Sequence, residues 1–167
     1  MTHDSLRTLY AYSTWANQRI LDSALCLEPA ELLADGGASF GSVRDTLVHL
    51  VSAQRVWLAR CRHQPTPPAL QPEDFPDVAA IYSTWEPLDE ETSAFVAGLD
   101  DGALGETVHY VNSAGEPNAY PLWQILFHQI NHAAQHRAEV AMILTSYDYS
   151  PGGQDFLRYL DQQSSDL

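Results

Sequence analysis

Cations are what this sequence has least of. It sets only eight Lys and Arg residues against 22 Asp and Glu, for a formal net charge of −14 over 167 residues. Binding to nucleic acid depends on neutralising phosphates with cationic side chains, so a surface this acidic argues against DNA, RNA and anionic membrane as partners. Cysteine is nearly as scarce. Cys26 and Cys61 are the two present, and neither CxxC nor zinc-ribbon spacing relates them. A disulfide framework is therefore not expected, and both read as small buried hydrophobes in a reducing compartment. No apolar run approaches the roughly 20 residues that span a bilayer. The opening MTHDSLRTLYAYSTW is interrupted by polar residues and lacks the apolar centre of a secretory signal. These absences predict a cytoplasmic protein, with a small molecule or another protein subunit as its partner.

Strand signals are also thin, and four stretches carry helical periodicity. The first runs from about Asp4 to Leu27, with Leu6, Leu9, Ala16, Ile20, Ala24 and Leu27 on one side, and Glu28-Pro29 ends it. A polar, glycine-containing link, LLADGGASFG, follows. The second starts at Ser42, placed to cap the amide of Asp45, and continues through SVRDTLVHLVSAQRVWLARC. HQPTPPALQPEDFP then breaks it with five prolines. A third helix is predicted from about Asp77 to Leu99, with a kink or a late start at Pro87. ETVHYVNSAGEPNAYP reads as a short hairpin or an irregular crossover. Pro121 suits the first position of a fourth helix that runs to about Ser146. QDFLRYLDQQ reads as a short terminal helix. Four helices joined by long links predict an all-α fold, a four-helix bundle with crossover connections, as a single domain over residues 1–167.

The fourth helix holds the feature that needs explaining. HQINHAAQHR places His128, His132 and His136 four residues apart in an apolar run. With Leu122 at zero and about 100° per residue, His136 falls at about −40° inside the buried stripe, His132 at about −80° on its flank and His128 at about −120° at its edge. Two imidazoles four residues apart on one helical face can share a metal ion, or can be core histidines bonded to their neighbours. Burying one such ring without a partner costs about 1–3 kcal/mol, so two side by side need a reason. A metal would need a third ligand. His49, in DTLVHLVSAQ, is the other histidine inside a helical pattern, at the edge of its own stripe. His3, His63 and His109 fall at a terminus, a loop and the hairpin, and read as solvated or locally bonded.

At these residues the sequence resembles the DinB/YfiT-like family of four-helix metal-binding proteins. YSTWANQRIL is similar to the family's first-helix signature. SFGSVRDTLVHL resembles the start of its second helix, ending in a histidine ligand, and FHQINHAAQHRAEV resembles its N-H-x-x-x-H-R pattern. GGQDFLRYL is similar to its closing helix. The resemblance implies His49, His132 and His136 as the metal ligands, in a bundle with crossover topology that is usually a homodimer. The chain departs from the pattern at Ala138-Glu139, where the family commonly has Gly-Gln. Glu139 falls at about −100° on the wheel, close to His132, which makes it a candidate contact around the ligands. His128 is another. Asn17 and Arg137 match family positions and also read as a helix–helix hydrogen bond and a salt bridge within the bundle. Trp15, Trp57, Trp85 and Trp123 read as core or as the lining of a cleft.

Three imidazoles with a free fourth position suit a catalytic site more than a structural one, which is closed by four protein ligands. The implied cofactor is one divalent ion, zinc or nickel, with water or a thiolate at the free position and no further catalytic side chain. Members of the family with known activity are thiol-dependent. The reading that follows is a metal-dependent thiol S-transferase acting on a small-molecule thiol and an electrophile. Its rivals are a non-catalytic, dimerising, metal-binding stress-response protein and a metal-dependent hydrolase.

Overall fold

Three of the four long helices begin on a side chain chosen to cap them. The structure, a computed structural model, describes residues 1–165; the last two residues of the expected 1–167 span lie outside the described residues. The Oγ1 of Thr2 accepts from the Ser5 amide at 3.2 Å, the Ser42 Oγ from Asp45 at 3.1 Å and the Asp77 Oδ1 from Ala80 at 2.8 Å. Each bond satisfies an amide that has no partner within its own helix. They open α1 (His3–Ala24), α3 (Val43–Cys61) and α4 (Val78–Ala97). The fourth long helix, α5, spans Leu122–Ser146.

The remaining elements are short. Residues Pro29–Leu33 form α2 and Phe156–Ser165 form α6. Strands β1 (Thr107–Val111) and β2 (Pro117–Pro121) pair antiparallel, with Val108 opposite Tyr120 and Tyr110 opposite Asn118. The hairpin turn is tied by the Asn112 Oδ1, which accepts from the amides of Ala114 and Glu116. Gly115 supplies the positive φ of +82° that the turn needs.

The long helices form a ring in which α5 packs on α1 and α3, and α4 packs on the same two from the opposite side. Helices α1 and α3, successive among the long four, are therefore diagonal neighbours. That arrangement requires the crossover connections expected of the fold. One apolar core joins α1, α3, α4 and α5 through Ile20, Leu47, Val51, Ile81, Trp85, Val140 and Leu144. A second lies toward the hairpin around Leu6, Tyr10, Val108, Leu122 and Leu126.

Between the packed faces runs a polar layer to which all four long helices contribute. Arg137 donates from Nη1 to the Asn17 Oδ1 at 2.9 Å and to the Ser13 Oγ at 3.0 Å. Asn17 donates to the Asp89 carboxylate, at 3.2 Å to Oδ2, and Gln54 donates to Asp89 Oδ1 at 2.8 Å. Gln54 in turn accepts from the Trp85 indole at 2.9 Å. Burial pushes the Asp89 carboxyl above its ordinary range, against the pull of Gln54, Asn17 and Arg137.

Several expectations need correction. Glu28-Pro29 does more than end the first helix, which stops at Ala24: it opens α2, with Pro29 at its first turn and the Glu28 amide bonded to the Glu31 carboxylate. Pro87 neither delays nor ends α4. It lies on the exposed side, where water can serve the carbonyl that loses its partner. Pro121 is the residue before α5, one position earlier than expected, because it still pairs with Thr107 as the end of β2. Cys61 is buried as expected, but Cys26 is exposed. Arg137 makes no ion pair among the described residues; its partners are the neutral Asn17 and Ser13, and Asp89 lies beyond Asn17.

Candidate metal centre

Helix α3 presents His49 at the edge of its buried face, and α5 presents His132 and His136 one turn apart on the face that meets α3. All three rings are partly buried. The Nε2 atoms of His49 and His132 lie 3.1 Å apart. The His136 ring centroid is 4.6 Å from that of His132 and 4.9 Å from that of His49. One nitrogen from each ring can be chosen so that all three lie within 4.8 Å of one another. Nitrogens bound to one tetrahedral zinc at its usual 2.0–2.1 Å lie about 3.3 Å apart, so the observed separations suit a shared ion.

Electrostatics favour the form that binds metal. Burial, followed by the neighbouring His136, lowers the pKa of His49 to about 4, with Glu139 pulling the other way. Burial, then His136, His49 and His128, lower that of His132 to about 4. Both rings are neutral at pH 7 and keep a free lone pair, as imidazole ligation demands.

The surroundings hold the rings in place. Glu139 meets the His136 Nδ1 at 2.9 Å, which fixes a proton there and leaves Nε2 free for an ion. The same carboxylate accepts from the Ser39 Oγ at 2.5 Å and from the Ser39 amide at 3.4 Å. Burial opposes the Glu139 charge, but the bonds from Ser39 and His136 outweigh it and hold the carboxyl below its ordinary range. Next in sequence to Ser39, Phe40 stacks on the His49 ring with centroids 3.8 Å apart and meets His136 edge-on at 5.3 Å. The loop carrying these two residues is seated tightly: a Cβ on Gly36 would fall 2.6 Å from the Ile143 side chain, and Gly41 has a φ of +81°.

His128, exposed, meets His132 only at 6.0 Å between centroids and packs edge-on against Trp57 at 5.1 Å. It borders the trio without joining it. Arg137 and Asn17 belong to the polar layer, and their hydrogen bonds run toward α1 and α4 and not to the three imidazoles. His3 is tied down, its Nε2 2.9 Å from the Val96 carbonyl, while His63 and His109 are exposed. Of the tryptophans, Trp85 is core and Trp15 packs with Tyr12 and Tyr159 beside α6. Tyr12 donates to the Gln154 carbonyl.

Compared with known protein families, the chain matches the DinB family over residues 1–166, nearly its whole length. The chain belongs to the DinB family. No curated protein matches it. Within this DinB bundle, Ser39 and Phe40 are the residues at the site that periodicity could not assign. They sit in a loop outside the helical pattern, and only their place in SFGSVRDTLVHL hinted at them. Glu139 was legible from its place on the wheel, though its imidazole partner is His136, one turn from the neighbour expected. No helix among the described residues is long and apolar enough to cross a membrane.

Proposed function

We propose that His49, His132 and His136 are the protein ligands of one divalent ion, zinc or nickel, in a DinB-family enzyme that transfers a small-molecule thiol to an electrophile. The observation that carries this reading is the convergence of three half-buried imidazoles, two of them held neutral, with no carboxylate or thiolate completing the set among the described residues. An ion bound to three neutral imidazoles keeps its full charge and a free position, where it can lower the pKa of a thiol or of water. Glu139 holds the His136 ring by its Nδ1 proton, and Phe40 covers His49 and limits access of water from that side. The thiol's proton leaves to solvent, and its sulfur pair forms the new bond to the electrophile as the leaving group departs with its own pair.

The homodimer implied by the resemblance goes with this proposal, as do the single domain and the cytoplasmic location expected from the sequence, and the −14 charge supports a small-molecule substrate over nucleic acid. The test is isothermal titration of the zinc- or nickel-loaded protein with several low-molecular-weight thiols. Tight thiol binding with proton release supports the transferase. Turnover of an ester or amide without thiol binding would assign a hydrolase. Inertness to both would leave a metal-binding protein without chemistry.

A further inference from the structure

Beside the imidazole trio lies a cleft of about 340 Å³, lined by Trp57 of α3, Tyr110 and Tyr120 of the hairpin, and Gln124, Ile125 and His128 of α5. Its walls are mostly aromatic and mutually braced. Tyr110 meets Trp57 edge-on at 5.4 Å, and Tyr120 lies diagonally across the hairpin from Tyr110 at 6.4 Å. The Arg60 guanidinium lies over both Trp57, at 4.5 Å, and Tyr110, at 4.4 Å, and donates to the Val111 carbonyl. That contact ties the two rings to one guanidinium and helps hold their positions. The floor is the buried Ile125. Tyr120, one wall, is 44% exposed, so the cleft opens to solvent on that side.

His128 stands between the cleft and the candidate metal centre: its ring packs edge-on against Trp57 at 5.1 Å and its centroid is 6.0 Å from that of His132. We propose that this cleft binds the flat, uncharged aromatic part, one or two rings in size, of the small molecule that reacts at the neighbouring site. The class follows from three features. Ring faces and edges on three sides select a planar π-system over a branched aliphatic one. The volume stands at the low end of the range for ligand pockets, which limits the occupant to one or two rings. No carboxylate among the described residues lines the cleft to hold a cation, and the guanidinium of Arg60 is already engaged by the rings and the Val111 carbonyl. The inference rests on the proposed metal-site reading for its chemistry, but not for its binding.

The test uses metal-stripped full-length protein, so that aromatic binding is measured without the ion. Titrate it with 4-nitrobenzyl alcohol and, separately, with cyclohexylmethanol, following the indole N–H resonances by NMR, with Trp57→Phe to assign the Trp57 signal. The expected result is saturable movement of that signal by the aromatic alcohol and at least about tenfold weaker binding of the aliphatic one. Tyr120→Ala, a change at an exposed position, should weaken the aromatic alcohol several-fold while metal content on reloading stays at the wild-type level. Equal binding of the two alcohols, no movement of the Trp57 signal, or unchanged affinity in Tyr120→Ala would overturn the assignment. So would a Trp57 shift that depends on protein concentration and not on alcohol, which would give the cleft to a second copy of the chain. Failure of metal reloading with aromatic binding intact would sink the metal-site reading alone.

Discussion

Glu139 ties the His136 ring to the loop that carries Ser39 and Phe40. Its carboxylate makes three contacts, with the Ser39 Oγ, the Ser39 amide and the His136 Nδ1. Its side chain is 29% exposed and that of His136 is 12% exposed, so water replaces these bonds only in part. Removing the carboxylate partner of a ligating histidine typically weakens metal binding by about 10–100-fold, equivalent to about 1.4–2.7 kcal/mol. Glu139→Gln keeps an acceptor for Ser39 and loses the charge, and belongs at the lower end. Glu139→Ala also frees the loop that holds Phe40 over His49, and belongs at the upper end. The assay is competition for zinc against a chromophoric chelator at pH 7, with amide hydrogen exchange of residues 36–41 as a second readout. Exchange should quicken in Glu139→Ala. If zinc affinity in Glu139→Ala stays within about threefold of wild type, the role given to this carboxylate is wrong.

Further predictions follow from neighbouring residues. Phe40→Ala uncovers one face of His49 and lessens the burial that is the largest cause of its lowered pKa, so in metal-free protein the ring should titrate above about 4, in the direction of the ordinary 6.5, as read by NMR. Arg137→Met orphans Asn17 and Ser13 and leaves Asp89 without its nearby cation; at about 1–3 kcal/mol per unsatisfied buried group it should lower the urea midpoint clearly, while metal content is retained. The metal-free protein should lose stability as pH falls from 6.5 toward 4. The folded state keeps His49 and His132 neutral across that window while the unfolded chain takes up protons, so protonation favours unfolding. A stability difference between wild type and His132→Gln that stayed flat across the window would refute this.

How much was legible in advance depends on whether a residue sits in a periodic segment. His132 and His136 could be placed on one face by 100° steps alone, and the structure brings them together as that count implies. His49 is 83 residues from His132, and no local rule relates them; its edge position made it a possible ligand, and the family resemblance made it an expected one. Phe40 and Ser39 escaped because a loop residue's neighbours are set by tertiary packing, here by the fit of Gly36 against Ile143. The polar layer was half visible. Asn17 and Arg137 stood out by family position, whereas Asp89 and Gln54 read as ordinary polar residues on amphipathic helices until the four were seen in one plane of contacts. Trp57 was undecided between core and cleft, and it does both: it packs against the second apolar core and lines the cleft with Tyr110 and Tyr120 of the hairpin.

The most direct measurement is elemental analysis of tag-free protein, wild type against His49→Ala, His132→Ala and His136→Ala, each checked by circular dichroism for an intact helical fold. The account predicts a stoichiometric divalent ion in wild type and its loss in all three variants. Ion content unchanged in folded His49→Ala and His132→Ala would contradict it.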